Sequence, residues 1–467
     1  MQVCQRLSTV FDEENLIGVA GLAPGLMLAE SAGLSEVLAQ RLGVNSPSAA
    51  VKASCVVAGM LAGADSIDDL DVLRHGGMGR VFCGVRAPST LGTFLRAFKP
   101  KHVRQLGAVS GDFLVGLTAR VPALLAGAGA ITYLDIDDTI REVHGYAKEG
   151  AAYGYTGLKG LNAQIATLST PVAAPVIAAT RLREGNASSG SGAAALIRAA
   201  RKVATACGVP TTGSGKGGQG GRLMVRADSA YYSQATVAAA RAGGSWFSIT
   251  ARQDVAVQAA ITKIADSAWT PITYPRAVAD PETGELISDA QVAEIPYVAF
   301  KSTGEKKKVT CRLVVRRVRR RNGEAAKDQG ELFTTWRFHA FITNSTLSTV
   351  DADRAHRDHA LVEQVFAELK DGPLAHAPSG KFTANGAWLA LTAMAFNLAR
   401  ALGALADTRH AKARWATIRA HLIHVPARVA ASARRYRLHL PTNWPWAQSL
   451  QTLTRALGLD PPSPARS

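Results

Sequence analysis

The sequence has few cysteines and few acids. Its five cysteines, Cys4, Cys55, Cys83, Cys207 and Cys311, stand far apart and never as a CxxC pair. That excludes a disulfide framework and a cysteine-type zinc site as organising features, and it suits a reducing compartment. The first residues carry charge early, with no basic leader running into an apolar stretch, so no signal peptide is expected. The apolar stretches 16–29 and 121–134 are too short for a bilayer and are broken by proline or glycine. A cytoplasmic protein without a membrane partner is therefore expected. No internal repeat is found. Asp and Glu number 36 against 53 Lys and Arg, a net charge of +17 with a pI near 9.9. This shortage of acids points to a polyanionic partner, nucleic acid first. What the chain does have is a 47% hydrophobic content over 467 residues. That excludes a disordered chain and predicts more than one domain.

Residues 1–125 read as helical, with apolar helices over 26–42 and 49–61 and shorter ones over 66–76 and 89–98, the last capped by Ser89 or Thr90. This stretch is almost neutral, with 11 Lys or Arg and 10 Asp or Glu. Near residue 131 the pattern changes to β-branched alternation. Strands are predicted over 131–140, 161–168, 175–182, 222–231 and 245–252, with helices over 193–206 and 234–242 between them. The stretch 211–221 reads as a glycine-rich loop. Residues 255–335 read as a β-rich insertion, with strands at 295–300, 306–320 and 332–343. Its segment 301–330 holds 11 Lys or Arg and 3 Asp or Glu, a net of +8. Helices return after residue 350. Residues 359–370 have helical apolar spacing, and 387–402 is apolar nearly all round and so should be buried. Residues 371–467 carry a net of +9. Together these elements predict an α/β multi-domain protein. Its expected parts are a helical domain 1–125, a mixed-sheet core 126–254 and 336–405, the β-rich insertion 255–335, and a basic helical C-terminal region 406–467.

Within LDIDDT, Asp135, Asp137 and Asp138 crowd the end of an apolar strand. Alternation sends Asp135 and Asp137 to one face and Asp138 to the other. Like charges on one face repel unless a cation joins them, and magnesium suits hard oxygen ligands. A solvated strand end is the plainer explanation, but an apolar strand running into three acids argues against it. Asp228 ends a second apolar strand, RLMVRAD. Alone it would cap a turn, but ligands of open α/β sheets gather at carboxyl strand ends. Glu363 lies on the predicted helix 359–370, on a stripe with Ala367 and Lys370 at the edge of the buried face, with Glu368 further round. Two Asp and one Glu could hold two magnesium ions astride a phosphodiester.

This order of motifs resembles the DDE transposases of bacterial insertion sequences, which have an RNase H-like core. The resemblance covers residues 66 to 446. It is strongest in HRDHALVEQ (356–364), with support from 143–157, 337–344 and 374–400. It implies a triad of Asp137, Asp228 and Glu363, with Asp135 as a further metal ligand and as the alternative first acid. The implied cofactor is Mg²⁺, with Mn²⁺ able to substitute. The implied partners are the element's terminal inverted repeats and target DNA, bound by a homodimer at the bacterial nucleoid. In the related Tyr-Arg-Glu-Lys signature, Lys370 fills the Lys place. His356 and His359 stand where Tyr and Arg would, with Arg357 beside the first.

The remaining basic residues fit this picture. Lys306, Lys307, Lys308, Arg316, Arg317, Arg319 and Arg320 combine strand alternation with cations, as a ribbon laid along phosphates would. A second basic segment, 409–441, carries Trp415 and Tyr436. GSGKGG (213–218) lacks the Ser or Thr of a phosphate loop and reads as a linker. Trp336 could stack on a base or be core. Two alternatives stay open. LDIDDT also fits a haloacid-dehalogenase-like phosphatase, with Asp135 as nucleophile and Asp137 as general acid/base, although no later acidic pair follows. The other alternative is a catalytically inactive DNA-binding relative.

Overall fold

The computed structural model describes residues 7–145, 147–211, 222–273, 290–319, 336–432 and 435–459. The predicted linker 213–218 and Arg320 lie outside the described residues. The chain divides into two compact units: residues 125–140 with 152–366, and residues 1–124 with 141–151 and 367–467.

The first of these units is built on one mixed sheet with flanking helices. Its strands are β1 (Ile131–Glu142), β2 (Ala152–Tyr153), β3 (Lys159–Ser169), β4 (Val176–Glu184), β5 (Arg222–Ala227), β6 (Trp246–Thr250), β7 (Thr270–Ile272), β8 (Ala290–Ala299), β9 (Val309–Arg319) and β10 (Trp336–Thr343). They lie in the order β2-β3-β1-β5-β6-β10-β9-β8-β7, with β4 paired to β3. β5 runs parallel to both β1 and β6, while β6 to β10 and the strands beyond pair antiparallel. The central strand β5 is apolar apart from its arginines and buried along almost its whole length, as a parallel strand covered on both faces must be. Helix α1 (Ala193–Ala206) packs on β3 and β4, and α2 (Gln234–Arg241) on β5 and β6.

The β-rich segment was expected to interrupt the sheet. Its strands instead continue it, because β10 pairs directly with β6. The segment also opens with a short helix, α3 (Val255–Ile261), which the sequence reading missed. Its start is set by Asp254, whose side chain accepts the Val257 N–H at 2.9 Å. After β10, Ser348 caps α4 (Thr349–Arg357), and a 3₁₀ turn over Asp358–Ala360 leads into α5 (Leu361–Lys370).

The second unit is mainly helical. The helix Phe382–Ala406 is its core and packs against Pro100–Arg120 and Ala49–Leu61. At 25 residues it is long and apolar enough to cross a membrane, but it is buried within the unit. The expectation that 387–402 is a buried apolar helix is met within this longer helix. The helix Pro88–Arg96 starts with Pro88 after the cap residue Ala87, two residues before Ser89 and three before Thr90, the expected caps. The basic C-terminal region is not wholly helical, as the sequence reading had it. Ala427–Ser432 pairs antiparallel with Arg435–His439 and with Leu16–Ile17. Alternating burial at Ala427 and Val429 is the strand signal, hidden in the sequence by helix-favouring Ala and Arg.

Candidate active site

The three acids of LDIDDT have different surroundings. β1 and β5 run parallel with Asp135 opposite Arg226. Arg226 is wholly buried, so its guanidinium must be paired. Its Nε and Nη2 donate to the two oxygens of Asp135, each at 2.7 Å, a bidentate geometry. Nη1 donates to the carbonyl of Ala355, and Nη2 also reaches the carbonyl of Asp358 at 3.4 Å. The ring of Tyr133 lies 3.8 Å from the guanidinium carbon. His359 Nδ1 stands 2.9 Å from Asp135 Oδ1. Burial alone would raise the Asp135 carboxyl, but the charge of Arg226 and the bonds from His359 and Arg226 hold it below its ordinary value. At Asp135, then, a guanidinium supplies the positive charge the crowded acids call for.

Asp138 is also enclosed, though less fully than Asp135. Its Oδ2 takes Arg183 at 2.9 Å and the side-chain amide of Asn162, and its Oδ1 takes the Tyr231 hydroxyl at 2.6 Å. Arg183 also donates to Asn162 Oδ1 and to the carbonyls of Ser188, Ser189 and Ser191. Burial, with the nearby Asp138 charge, pushes the Tyr231 hydroxyl far up, so it remains a donor. Tyr231→Phe is expected to cost about 1–3 kcal/mol in urea denaturation, because Asp138 loses one buried donor while the ring still fills its place. A loss under about 0.5 kcal/mol would mean that water replaces the hydroxyl.

Asp137 is left between these two networks. The register that faces Asp135 with Arg226 leads, two residues on, to Asp137 inside β1 and to Asp228 just past the end of β5. The acids of LDIDDT were expected at a strand end, but β1 runs on to Glu142. Asp137 Oδ1 accepts the N–H of Asp138 at 2.7 Å. Asp228 caps the turn Ser229–Tyr231 by accepting the Ala230 N–H at 3.0 Å. Among the described residues neither carboxylate has a Lys or Arg salt-bridge partner. Burial lifts Asp137 to about 7, with the charges of Asp228 and Asp138 adding to the rise and His359 opposing it. Burial also raises Asp228, against the Ala230 bond and the pull of His359. Asp137 is half-buried inside β1 and Asp228 is exposed just past the end of β5. Two neighbouring carboxylates that have no Lys or Arg salt-bridge partner among the described residues offer the oxygen-donor chemistry that suits a hard divalent cation. Among the described residues no three His, Cys, Asp or Glu side chains stand close enough together to hold a metal. The structure therefore sets Asp137 and Asp228 near each other but does not gather Glu363 with them into a three-acid cluster.

Glu363 is exposed on α5, on the expected stripe with Ala367 and Lys370. It borders a cavity of about 270 Å³ that is also lined by His359, Arg357, Arg316, His339 and Asp353. Lys370 belongs to the other unit, as does Glu368. Glu368 is not a solvated acid but a buried one, held by Arg400 Nη2 and the Trp415 N–H, each at 2.7 Å.

The other expected contacts with DNA have varied surroundings. His356 stacks 4.1 Å from Phe341, its two ring nitrogens 2.8 Å and 3.0 Å from Ser248 and Thr250 hydroxyls. Burial holds it far below the ordinary histidine value, so it is neutral. Arg357 Nε and Arg316 Nη1 both pair with Asp353, at 2.8 Å and 3.2 Å. Arg317 lies between the rings of Trp269 and Trp336, at 4.3 Å and 4.5 Å. Trp336 thus stacks on a cation. Lys308 pairs with Glu305, and Lys307 is exposed. Of Lys306 and Arg319 only the backbone is described.

The sequence reading missed Arg226, Arg183, Asn162 and Tyr231. For Arg226 a signal was present: an arginine inside the apolar run LMVRA demands a buried acid, and LDIDDT is a crowd of acids without partners.

A mixed α/β sheet with flanking helices and neighbouring acids on two adjacent parallel strands defines the class, consistent with an RNase H-like enzyme of the DDE type. Residues 53–460 match the family described as "Transposase DDE domain group 1", and the chain belongs to that family. Membership carries transposase-type enzyme activity in general, is consistent with DNA as a partner, and brings the family's general use of divalent metal ions. It sets aside the phosphatase alternative, whose nucleophile, Asp135, has both oxygens engaged. No curated protein matches the sequence significantly.

Proposed function

We propose that the protein is an active insertion-sequence transposase that cuts phosphodiester bonds at the ends of its own element and joins the exposed 3′-hydroxyls to target DNA. The observation that carries this reading is the uncompensated pair Asp137 and Asp228, flanked by acids that are already neutralised. Asp137 and Asp228 would hold Mg²⁺, or Mn²⁺ in its place, with Glu363 as the third acid. Bound there, the metal supplies charge to activate the attacking oxygen and to steady the leaving one. Asp137 would orient the scissile phosphate from within β1 and Asp228 from the end of β5, and α5 would have to bring Glu363 to them once DNA and metal are bound. Lys307, Lys308, Arg316, Arg317, Arg357, His359 and Lys370 are the cations and polar groups of this reading that would grip the phosphates. The terminal inverted repeats would be bound by a homodimer.

The test is strand cleavage by the full-length protein on DNA carrying the element's ends, with Mg²⁺, with Mn²⁺ and with EDTA. Cleavage should require both metal and the correct ends. Binding should weaken about 10³-fold or more between 50 and 200 mM salt if six or more phosphates are contacted. Cutting that persists in EDTA, or equal cutting of scrambled ends, would defeat the reading.

A further inference from the structure

We propose that Arg226 is a positioning residue that ties together the three segments bearing the candidate acids. The inference rests on the transposase reading for what those acids do, but the geometry stands by itself. Arg226 lies two residues before Asp228, on β5. Its carboxylate partner, Asp135, lies two residues before Asp137, on β1. Its carbonyl partners, Ala355 and Asp358, lie at the junction of α4 and α5, shortly before Glu363. His359, one helical turn before Glu363, binds the same Asp135. A single side chain and its counter-ion therefore fasten β1 just before Asp137, the end of β5 and the entry to α5.

The residue type suits this role. A guanidinium offers five donors in a fixed plane, enough for a bidentate carboxylate and two carbonyls at once, whereas an ammonium is a point charge on a flexible stem. The Ala355 carbonyl is of the kind that a helix end leaves open, and that of Asp358 is shared with the Leu361 N–H. Arg226 and Asp135 are almost wholly buried, at 0% and 1% exposed, so these bonds are strong and directional. A buried ion pair is weak grounds for a stabilising role, because apolar replacement of both partners is often as stable. The contacts to the Ala355 and Asp358 carbonyls are what separate positioning from mere stability.

The test uses the full-length protein with Arg226→Lys and with the double variant Asp135→Leu/Arg226→Met, which removes both charges and so should keep the fold. Each is made with and without Glu363→Gln. Mn²⁺ binding is followed by electron paramagnetic resonance, and hydrogen exchange is followed over residues 355–363. In the wild type, Glu363→Gln should weaken Mn²⁺ binding about tenfold. On either Arg226 background the same change should matter less than about twofold, because Glu363 is already released; such non-additivity marks coupling. Exchange over 355–363 should rise about tenfold or more in both Arg226 variants while the melting temperature of the double variant stays near wild type. A folded double variant with wild-type exchange over 355–363 would overturn the proposal. If the wild type neither binds Mn²⁺ nor cuts end-bearing DNA, the transposase reading fails, and exchange over 355–363 still decides the role of Arg226. If the double variant does not fold, exchange in Arg226→Lys decides in the same way.

Discussion

Replacing Asp137 or Asp228 by asparagine is expected to lower strand cleavage by about 10³-fold or more, the equivalent of several kcal/mol of lost transition-state stabilisation. The same changes should leave the metal-free protein more stable than the wild type. Asp137 is half-buried and raised chiefly by desolvation, whereas Asp228 is exposed, so the gain is expected mainly at Asp137. Among the described residues neither has a Lys or Arg salt-bridge partner. The sign follows from linkage. Asp137 is raised from 3.8 to about 7, so between these values the folded protein holds a proton that the unfolded chain releases. Stability of the metal-free protein therefore falls as pH rises through that window. Asparagine removes this penalty, and the gain should be full near pH 8 and vanish below about pH 4. Thermal melts in EDTA at pH 4 and pH 8 measure it. About 2 °C or more of stabilisation at pH 8 is expected. A variant less stable than wild type at pH 8 would mean that the carboxylate makes favourable contacts. Unimpaired cleavage would remove Asp137 and Asp228 from the proposed chemistry.

The largest single loss of stability outside the sheet is expected from Glu368→Ala. Glu368 and Arg400 form an ion pair whose side chains are 4% and 2% exposed, and Glu368 also takes the Trp415 N–H. Removing the carboxylate strands a buried guanidinium and a backbone donor. The expected cost is about 3–5 kcal/mol in urea denaturation. Glu368→Leu with Arg400→Met should recover much of that loss, because no unpaired charge remains. Glu363→Ala is the control. Glu363 is exposed five residues earlier on the same helix, so the change should shift stability by less than about 0.5 kcal/mol. Equal losses at Glu363 and Glu368 would contradict the burial difference.

Glu363 and Glu368 also show what could be read in advance. The apolar spacing of 359–370 places a helix and puts Glu363 on its outer stripe, and α5 has that form. The same spacing leaves Glu368 looking like a solvated acid, because its partner, Arg400, lies 32 residues away on another helix. The β-rich segment behaves similarly. Its alternation gives the strands, but only pairing of β10 with β6 makes them part of one sheet. In the C-terminal region, Ala and Arg favour helix locally, and the pairing of Ala427–Ser432 with Leu16–Ile17 and Arg435–His439 overrides that preference.

By itself the sequence determined the strand carrying LDIDDT, the strand ending at Asp228, the helix carrying Glu363 and the resemblance those motifs carry. These follow from local periodicity, which the backbone geometry of strands and helices imposes on neighbouring residues. Alternation also assigned the acids to faces. It did not say which acid was already neutralised, because that depends on a residue met only after folding. Arg226 is 91 residues from Asp135, and Arg183 reaches Asp138 from β4, across the sheet. Tertiary structure alone gave those two acids their arginines and left Asp137 beside Asp228. Among these crowded acids, the presence or absence of a guanidinium decides whether a carboxylate is a structural anchor or a candidate ligand.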